Sequence, residues 1–311
     1  MGSVHLTVAQ AAATLSISED QLRQLVRIRA DQLPTRGEAH PDLFAPETIE
    51  ALRTRLGGAV VLAIASGKGG VGKTSLTVNL ATELARRGHK VVVVDVDLGL
   101  ANCHIMAGLK PTRSLSDFLA GTASLIDVMI DGPEGVKFIS AGSGVSEMAN
   151  LDQSGRGRLM EVVRNLRPLC DVIILDTGAG VSHAVTDFVS ISDHTIVITT
   201  ANFAAIADAY GLIKIAVQEC DQSKLHLLVN RVSSVEEGQQ VFTKLKGCAE
   251  RFLSFDLNWL GLLPEDRAVE GATLKRQPFC SAYPDSVVTR YLGKVVTAVE
   301  RLLPAVAARS D

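Results

Sequence analysis

Residues 67–79 read GKGGVGKTSLTVN and place two lysines, Lys68 and Lys73, in one short glycine-rich stretch. Gly67, Gly72, Lys73 and Thr74 satisfy the spacing G-x-x-x-x-G-K-[ST]. Glycines let such a backbone wrap tightly, so that its N–H groups point at phosphate oxygens, and the start of the following helix adds to the attraction. Lys73 then reaches the β- and γ-phosphates, while the Thr74 hydroxyl ligates magnesium. The competing reading is a glycine-rich turn without a ligand. It is disfavoured by the apolar strand before the loop and the helical pattern after it. A loop of this kind uses one lysine, so Lys68 requires a separate account.

Two carboxylates end apolar runs elsewhere. Asp176 closes the run 171–175, where it can hold the metal directly or through water. Asp97 follows the run 90–96 and can orient an attacking water. With the usual strand order, its strand is expected to lie beside the strand of the phosphate loop. Either aspartate alone could be a helix cap or a surface turn, but the pair together with a phosphate loop forms a coherent hydrolytic site.

The surrounding pattern supplies the scaffold. Continuous apolar runs at 59–66, 90–97, 136–140, 171–178, 194–200, 225–230 and 257–264 predict buried parallel strands. Helical patterns lie between most of them, which predicts an α/β protein with a mostly parallel, doubly wound sheet flanked by helices. The composition agrees, with 47% apolar and only 4% aromatic residues. A formal charge of −3 offers no global attraction for nucleic acid or anionic lipid. Five scattered cysteines without a C-x-x-C pair disfavour a disulfide framework and a local cluster site, and point to a reducing cytosol. No stretch reaches the length of a membrane span, so the expected location is cytoplasmic.

Residues 1–56 differ in character. Thr7 with Gln10, and Ser18 with Gln21, have capping-box spacing, and Leu22, Leu25 and Val26 fall on one helical face. A turn-rich loop at 34–42 and a helix from Pro46 follow, and residues 56–58 suit a hinge. The division expected is a small helical domain over 1–56 and a nucleotide-binding domain over 57–311.

KGGVGKTS is the deviant Walker A motif, and residues 59–303 resemble the MinD/ParA group of P-loop ATPases. The blocks DVDLGLAN (95–102), DTGAG (176–180), DAYGLIK (208–214), VNRV (229–232) and GLLPEDRAV (261–269) are most similar to the FlhG (FleN-type) branch, which governs flagellar number and placement. The resemblance implies a slow, magnesium-dependent ATPase that dimerises on ATP and releases ADP. The phosphates would be held by Gly67, Lys68, Gly69, Gly70, Val71, Gly72, Lys73, Thr74 and Ser75, with Thr74 and Asp176 serving magnesium. Lys68 would reach across the dimer interface to the partner's nucleotide, as an arginine finger does. Asp97 would position water, Gly178 and Gly180 would sense the γ-phosphate, Asn230 would meet the adenine edge, and Arg231 and Pro264 would flank the ring.

Departures from the family narrow the function. TTANFAA (199–205) replaces a proline-containing turn, so partner contacts near Asn202 and Phe203 should differ. The apolar stripe Val288, Leu292, Val295, Val299 and Leu302 is expected to be core, with Pro304 after it and no amphipathic membrane tail evident. The N-terminal residues resemble a helix-turn-helix of the MerR or excisionase type, with Arg23 and Arg27 placed to meet DNA or a protein partner. Six arginines, no lysine and seven acidic residues give this segment a net charge of −1, a poor footprint for DNA. The leading expectation is an ATP-dependent switch that controls the placement or number of a cellular structure, flagellar or polar. The alternative is an ATP-gated DNA-binding regulator or ParA-type partition protein. A metabolic enzyme or metal-cluster carrier is disfavoured by the missing substrate site and missing paired cysteines.

Overall fold

The structure, a computed structural model, describes residues 5–15, 18–28, 43–45, 48–49, 52, 58–97, 101–141, 153–219, 221 and 224–303. At the N-terminal end, β1 (Leu6–Thr7) leads into α1 (Val8–Leu15) and α2 (Glu19–Ile28), and β2 (Leu43–Phe44) pairs antiparallel with β1. Both helices start on the expected capping boxes. The Thr7 amide donates to Gln10 Oε1 at 3.0 Å and the Gln10 amide to Thr7 Oγ1 at 3.3 Å. Ser18 and Gln21 repeat the exchange at 2.9 and 3.1 Å, satisfying donors that a helix start otherwise leaves open. The expected loop at 34–42, residues 56–57 of the hinge and most of the helix from Pro46 lie outside the described residues.

The main unit continues with β3 (Val60–Ser66), α3 (Lys73–Arg86), β4 (Val91–Val96), α4 (Cys103–Met106), α5 (Leu115–Leu119), β5 (Met129–Asp131) and β6 (Lys137–Ile139). After these come α6 (Gln153–Leu166), β7 (Val172–Ala179), α7 (His183–Ile191), β8 (His194–Thr200), α8 (Phe203–Glu219) and β9 (Leu225–Val232). The chain then forms α9 (Val235–Leu253), β10 (Asn258–Pro264), α10 (Arg267–Lys275), α11 (Phe279–Ala282) and α12 (Val287–Glu300). The eight-stranded sheet has the order β10-β9-β8-β3-β7-β4-β6-β5, with every pairing parallel except the antiparallel edge pair β5–β6. All seven expected runs form strands, and β5 is an addition.

One expectation is corrected. The strand leading to Asp97 does not lie beside the phosphate-loop strand, because β7 pairs with β3 along one edge and with β4 along the other. The crossovers through α3 and α6 thus leave β7 and its Asp176 in the centre. Alternation then sorts the central strands between two cores. Val60, Leu62 and Ile64 enter the core with α3 and α12, whereas Val61 enters the opposite one.

The C-terminal stripe is core, as expected. Val288, Leu292, Val295 and Val299 are buried, and α12 packs on β10 and α3. Arg87 ties the helix down by bonding Glu300 at 2.7 Å and the Gly293 carbonyl at 3.0 Å. On the other face, Leu22, Leu25 and Val26 are buried in the same core as Val92, Val94, Leu166 and Leu169, and Gln21 Nε2 donates to Asn165 Oδ1 at 3.2 Å. The N-terminal helices are therefore packed against the sheet unit. Leu292→Ala should destabilise the sheet unit by about 2–5 kcal/mol, the usual cost of a fully buried leucine truncation. Urea denaturation checks this, and a loss below about 0.5 kcal/mol would contradict the packing.

Candidate nucleotide site

The phosphate loop joins β3 to α3, and glycine is obligatory where the chain passes close to its neighbours. A Cβ on Gly67 would fall 2.0 Å from the Asp208 carbonyl of α8. Gly72 has a φ of 102°, and a Cβ there would fall 2.4 Å from Asn230 Nδ2. Around Gly69 and Gly70 a Cβ would meet nothing within 4 Å, so the loop's crest is open. The start of α3 has no side-chain cap, which suits a helix end that offers its N–H groups to an anion.

The two lysines occupy opposite environments. Lys73 is buried and its Nζ donates to Ser66 Oγ at 3.1 Å. Burial lowers its pKa, against the pull of Asp176 and Asp97. Lys68 is exposed and forms no ion pair among the described residues, while its carbonyl accepts from Ser66 Oγ at 2.7 Å.

Asp176 is 1% exposed and lies between the loop helix and β4. Its Oδ2 accepts from Thr74 Oγ1 at 2.7 Å and from the Cys103 thiol at 3.2 Å, and its Oδ1 accepts from Thr77 Oγ1 at 3.0 Å. Burial raises its pKa, opposed by those three donors and by Lys73. Asp95 stands directly across the strand pair from Asp176. Desolvation first, and Asp176 second, push the Asp95 carboxyl up to about 7. It accepts the Asp97 amide at 3.2 Å through Oδ1 and the Cys103 amide at 2.9 Å through Oδ2, so one buried carboxylate holds both residues. Asp97 itself is half-buried, and its Oδ1 lies 3.7 Å from where a Cβ on Gly178 would sit.

The remaining expected residues group at the same ends of the strands. Gly180 donates its amide to the Ser66 carbonyl at 2.9 Å. Asn230 ends its reach on the phosphate loop, donating Nδ2 to the Val71 carbonyl at 2.8 Å. Arg231 has a φ of 56°, is exposed and pairs with Glu265 at 3.4 Å, and Pro264 closes the neighbouring β10. Phe203, the first residue of α8, is 86% exposed, and Asn202 Oδ1 caps that helix by accepting from the Ala204 amide at 3.0 Å. Arg23 and Arg27 are exposed on α2 of the N-terminal unit and are not brought to this site.

Sequence reasoning missed Ser66, Thr77, Asp95 and Cys103. Asp95 was findable, because alternation from Val91 and Val93 puts residue 95 on the α3 face, where Val172 and Ile174 also put Asp176. Thr77 lies one helical turn beyond Thr74 and so shares its face.

A glycine loop entering a helix, a buried lysine and a strand-end carboxylate bonded to the loop threonine define a P-loop nucleoside-triphosphatase site. A buried lysine and a threonine hydroxyl bonded to a buried aspartate are the donor types that phosphate and magnesium require. The profile of the ParA family, described as NUBPL iron-transfer P-loop NTPase, matches residues 59–300. Antiactivator FleN of Pseudomonas aeruginosa is 36% identical over 226 residues, covering 73% of this chain and 81% of that protein. Flagellum site-determining protein YlxH of Helicobacter pylori is 31% identical, covering 77% and 81%. The septum site-determining protein MinD of Pyrococcus horikoshii, solved with Mg-ADP, superimposes with a TM-score of 0.66 at 26% identity, covering 78% and 97%. The chain belongs to the ParA/MinD family of P-loop NTPases.

The buried Asp95 makes a pH prediction. Its folded pKa lies above the unfolded value of 3.8, so the folded chain keeps a proton that the unfolded chain releases. Its contribution to stability is then fully present below about pH 4 and is lost as the pH rises to about 7. In magnesium-free buffer, Asp95→Asn should therefore gain stability relative to the parent between about pH 5 and about pH 8. Urea melts at both pH values check this, and a constant difference would contradict it.

Proposed function

We propose that this protein is an ATP-dependent dimerising switch that hydrolyses ATP slowly and so controls the number or placement of a cellular structure, flagellar by its likeness to FleN and YlxH. The observation that carries this reading is the split between the two loop lysines. Lys73 belongs to its own phosphate cradle, whereas Lys68 is exposed beside the same loop and forms no ion pair among the described residues. A cation so placed serves a phosphate that arrives from a second subunit.

In each subunit the loop amides and Lys73 hold the β- and γ-phosphates, and Gly178 and Gly180 meet the γ-phosphate end. Thr74, with Asp176 behind it, would hold magnesium, whose charge would offset that of the transferring phosphate. Asp97 orients the attacking water, and Asp95 holds the Asp97 loop. Asn230, with Arg231 and Pro264 on adjoining strand ends, receives the adenine. Its present bond to Val71 links the base site to the phosphate loop.

Lys73→Ala should abolish ATP binding, whereas Lys68→Ala should keep much of it but lose dimerisation and turnover. Asp97→Ala should accumulate the ATP dimer. Calorimetry and light scattering read these outcomes. Equal loss of ATP by both lysine variants, or an Asp97→Ala protein that stays monomeric in saturating ATP, would overturn the reading.

The N-terminal unit is the proposed partner-binding end, with Arg23 and Arg27 outermost on α2. Pairing two copies raises their avidity for a repeated partner. A protein assembly is favoured over DNA by the net charge of −1 over residues 1–56. Among the described residues no helix is long and apolar enough to cross a membrane, and the α12 stripe is spent on core packing. ATP-dependent surface recruitment should accordingly require residues 1–56. Co-sedimentation with anionic liposomes tests this, and ATP-dependent pelleting that survives their deletion would refute it.

A further inference from the structure

The nucleotide site carries a thiol that phosphate chemistry does not use. Cys103 is 1% exposed, its Sγ lies 3.2 Å from Asp176 Oδ2, and its amide is held by Asp95. One ligand atom from each of Asp95, Cys103 and Asp176 lies within 4.8 Å of the other two. The three come from β4, the start of α4 and β7, so two adjacent strands and a helix fix their spacing. Zinc bonds thiolate sulfur at about 2.3 Å and carboxylate oxygen at about 2.0–2.2 Å, which sets neighbouring ligand atoms roughly 3.4–3.6 Å apart in a tetrahedron. The Cys103–Asp176 pair is already close to that spacing. A shift of roughly 1 Å would close the widest pair onto the ion.

Ligand type decides which cation this set prefers. Magnesium takes oxygen ligands and an octahedral shell, so it gains nothing from sulfur. A thiolate with two carboxylates suits zinc and leaves a fourth position for water. We propose that Asp95, Cys103 and Asp176 form a zinc position which shares Asp176 with the magnesium site, so that zinc withdraws this carboxylate from the hydrolytic metal and halts turnover. Binding sends the Cys103 proton, and the proton that the Asp95–Asp176 pair holds, to solvent and changes no oxidation state. Two carboxylates and a thiolate around a dication leave one negative charge, next to Lys73. The proposal rests on Asp176 serving magnesium, but it is independent of dimerisation.

Cobalt(II) is the probe, because a bound thiolate gives it a charge-transfer absorption that oxygen ligands do not. It is titrated into nucleotide-free full-length protein carrying Cys220→Ser and Cys248→Ser, which removes two other thiols. One equivalent should produce the band, zinc should displace it, and Cys103→Ser and Cys103→Val should each abolish it. With ATP and magnesium held constant, the zinc concentration that halves hydrolysis should rise at least about tenfold in both variants, each measured against its own zinc-free rate. Circular dichroism verifies folding, and the serine variant carries the test if the valine variant unfolds. Absence of the band, its survival in Cys103→Ser, or unchanged zinc sensitivity would overturn the proposal. The cobalt band needs no turnover and no second subunit, so its failure is distinct from failure of the switch.

Discussion

A carboxylate buried in the middle of a parallel sheet is the constraint on which the rest of the site depends. Water no longer solvates Asp176, so the protein must supply donors from every side. Thr74 and Thr77 do so from α3, and Cys103 does so from the start of α4. Those bonds fix the pitch of α3 against β7. They also place the Thr74 hydroxyl against Asp176 at the first turn of α3. The sheet order follows the same demand, since only a strand lying between β3 and β4 can present one carboxylate to both the loop helix and the Asp97 turn.

Asp95 adds a second buried acid across the strand pair, and the two cannot both ionise freely. Lys73 is the buried cation that faces them, and its own pKa is lowered by the burial that this position imposes. The phosphate cradle is thus built from groups that are costly to bury and that acquire full partners when a nucleotide phosphate and its cation arrive. Close backbone approaches at Gly67 and Gly72 connect the cradle to α8 and to Asn230. The end of β9 and α8 therefore both bear on one loop.

The fold was legible because burial on both faces makes parallel strands continuous apolar runs, and all seven runs became strands within a residue or two. The loop, Thr74 and Asp176 were legible because phosphate chemistry fixes residue type and spacing together. Strand order was less accessible. Whether Asp97's strand or Asp176's strand neighbours β3 depends on long-range pairing, which local periodicity does not encode. Cys103 escaped for a related reason, since a lone cysteine in a short helix acquires meaning only when folding brings it to Asp176. Asn230 was assigned to adenine by likeness, and its bond to Val71 could not be read from a strand-end asparagine.

The two faces of β4 connect the chemistry to the N-terminal unit. Val92, Val94 and Val96 lie in the core that holds Leu22, Leu25 and Val26, whereas Asp95 points to the opposite face and grips the Asp97 turn. Side chains alternate across a strand, so a rotation or slide of β4 moves both sets at once. Close-packed cores do not absorb such motion by deforming continuously. The short strand that ends at Asp97 is therefore also a wall of the core on which the N-terminal helices rest. A displacement of those helices and a displacement of Asp97 would both be carried by its backbone.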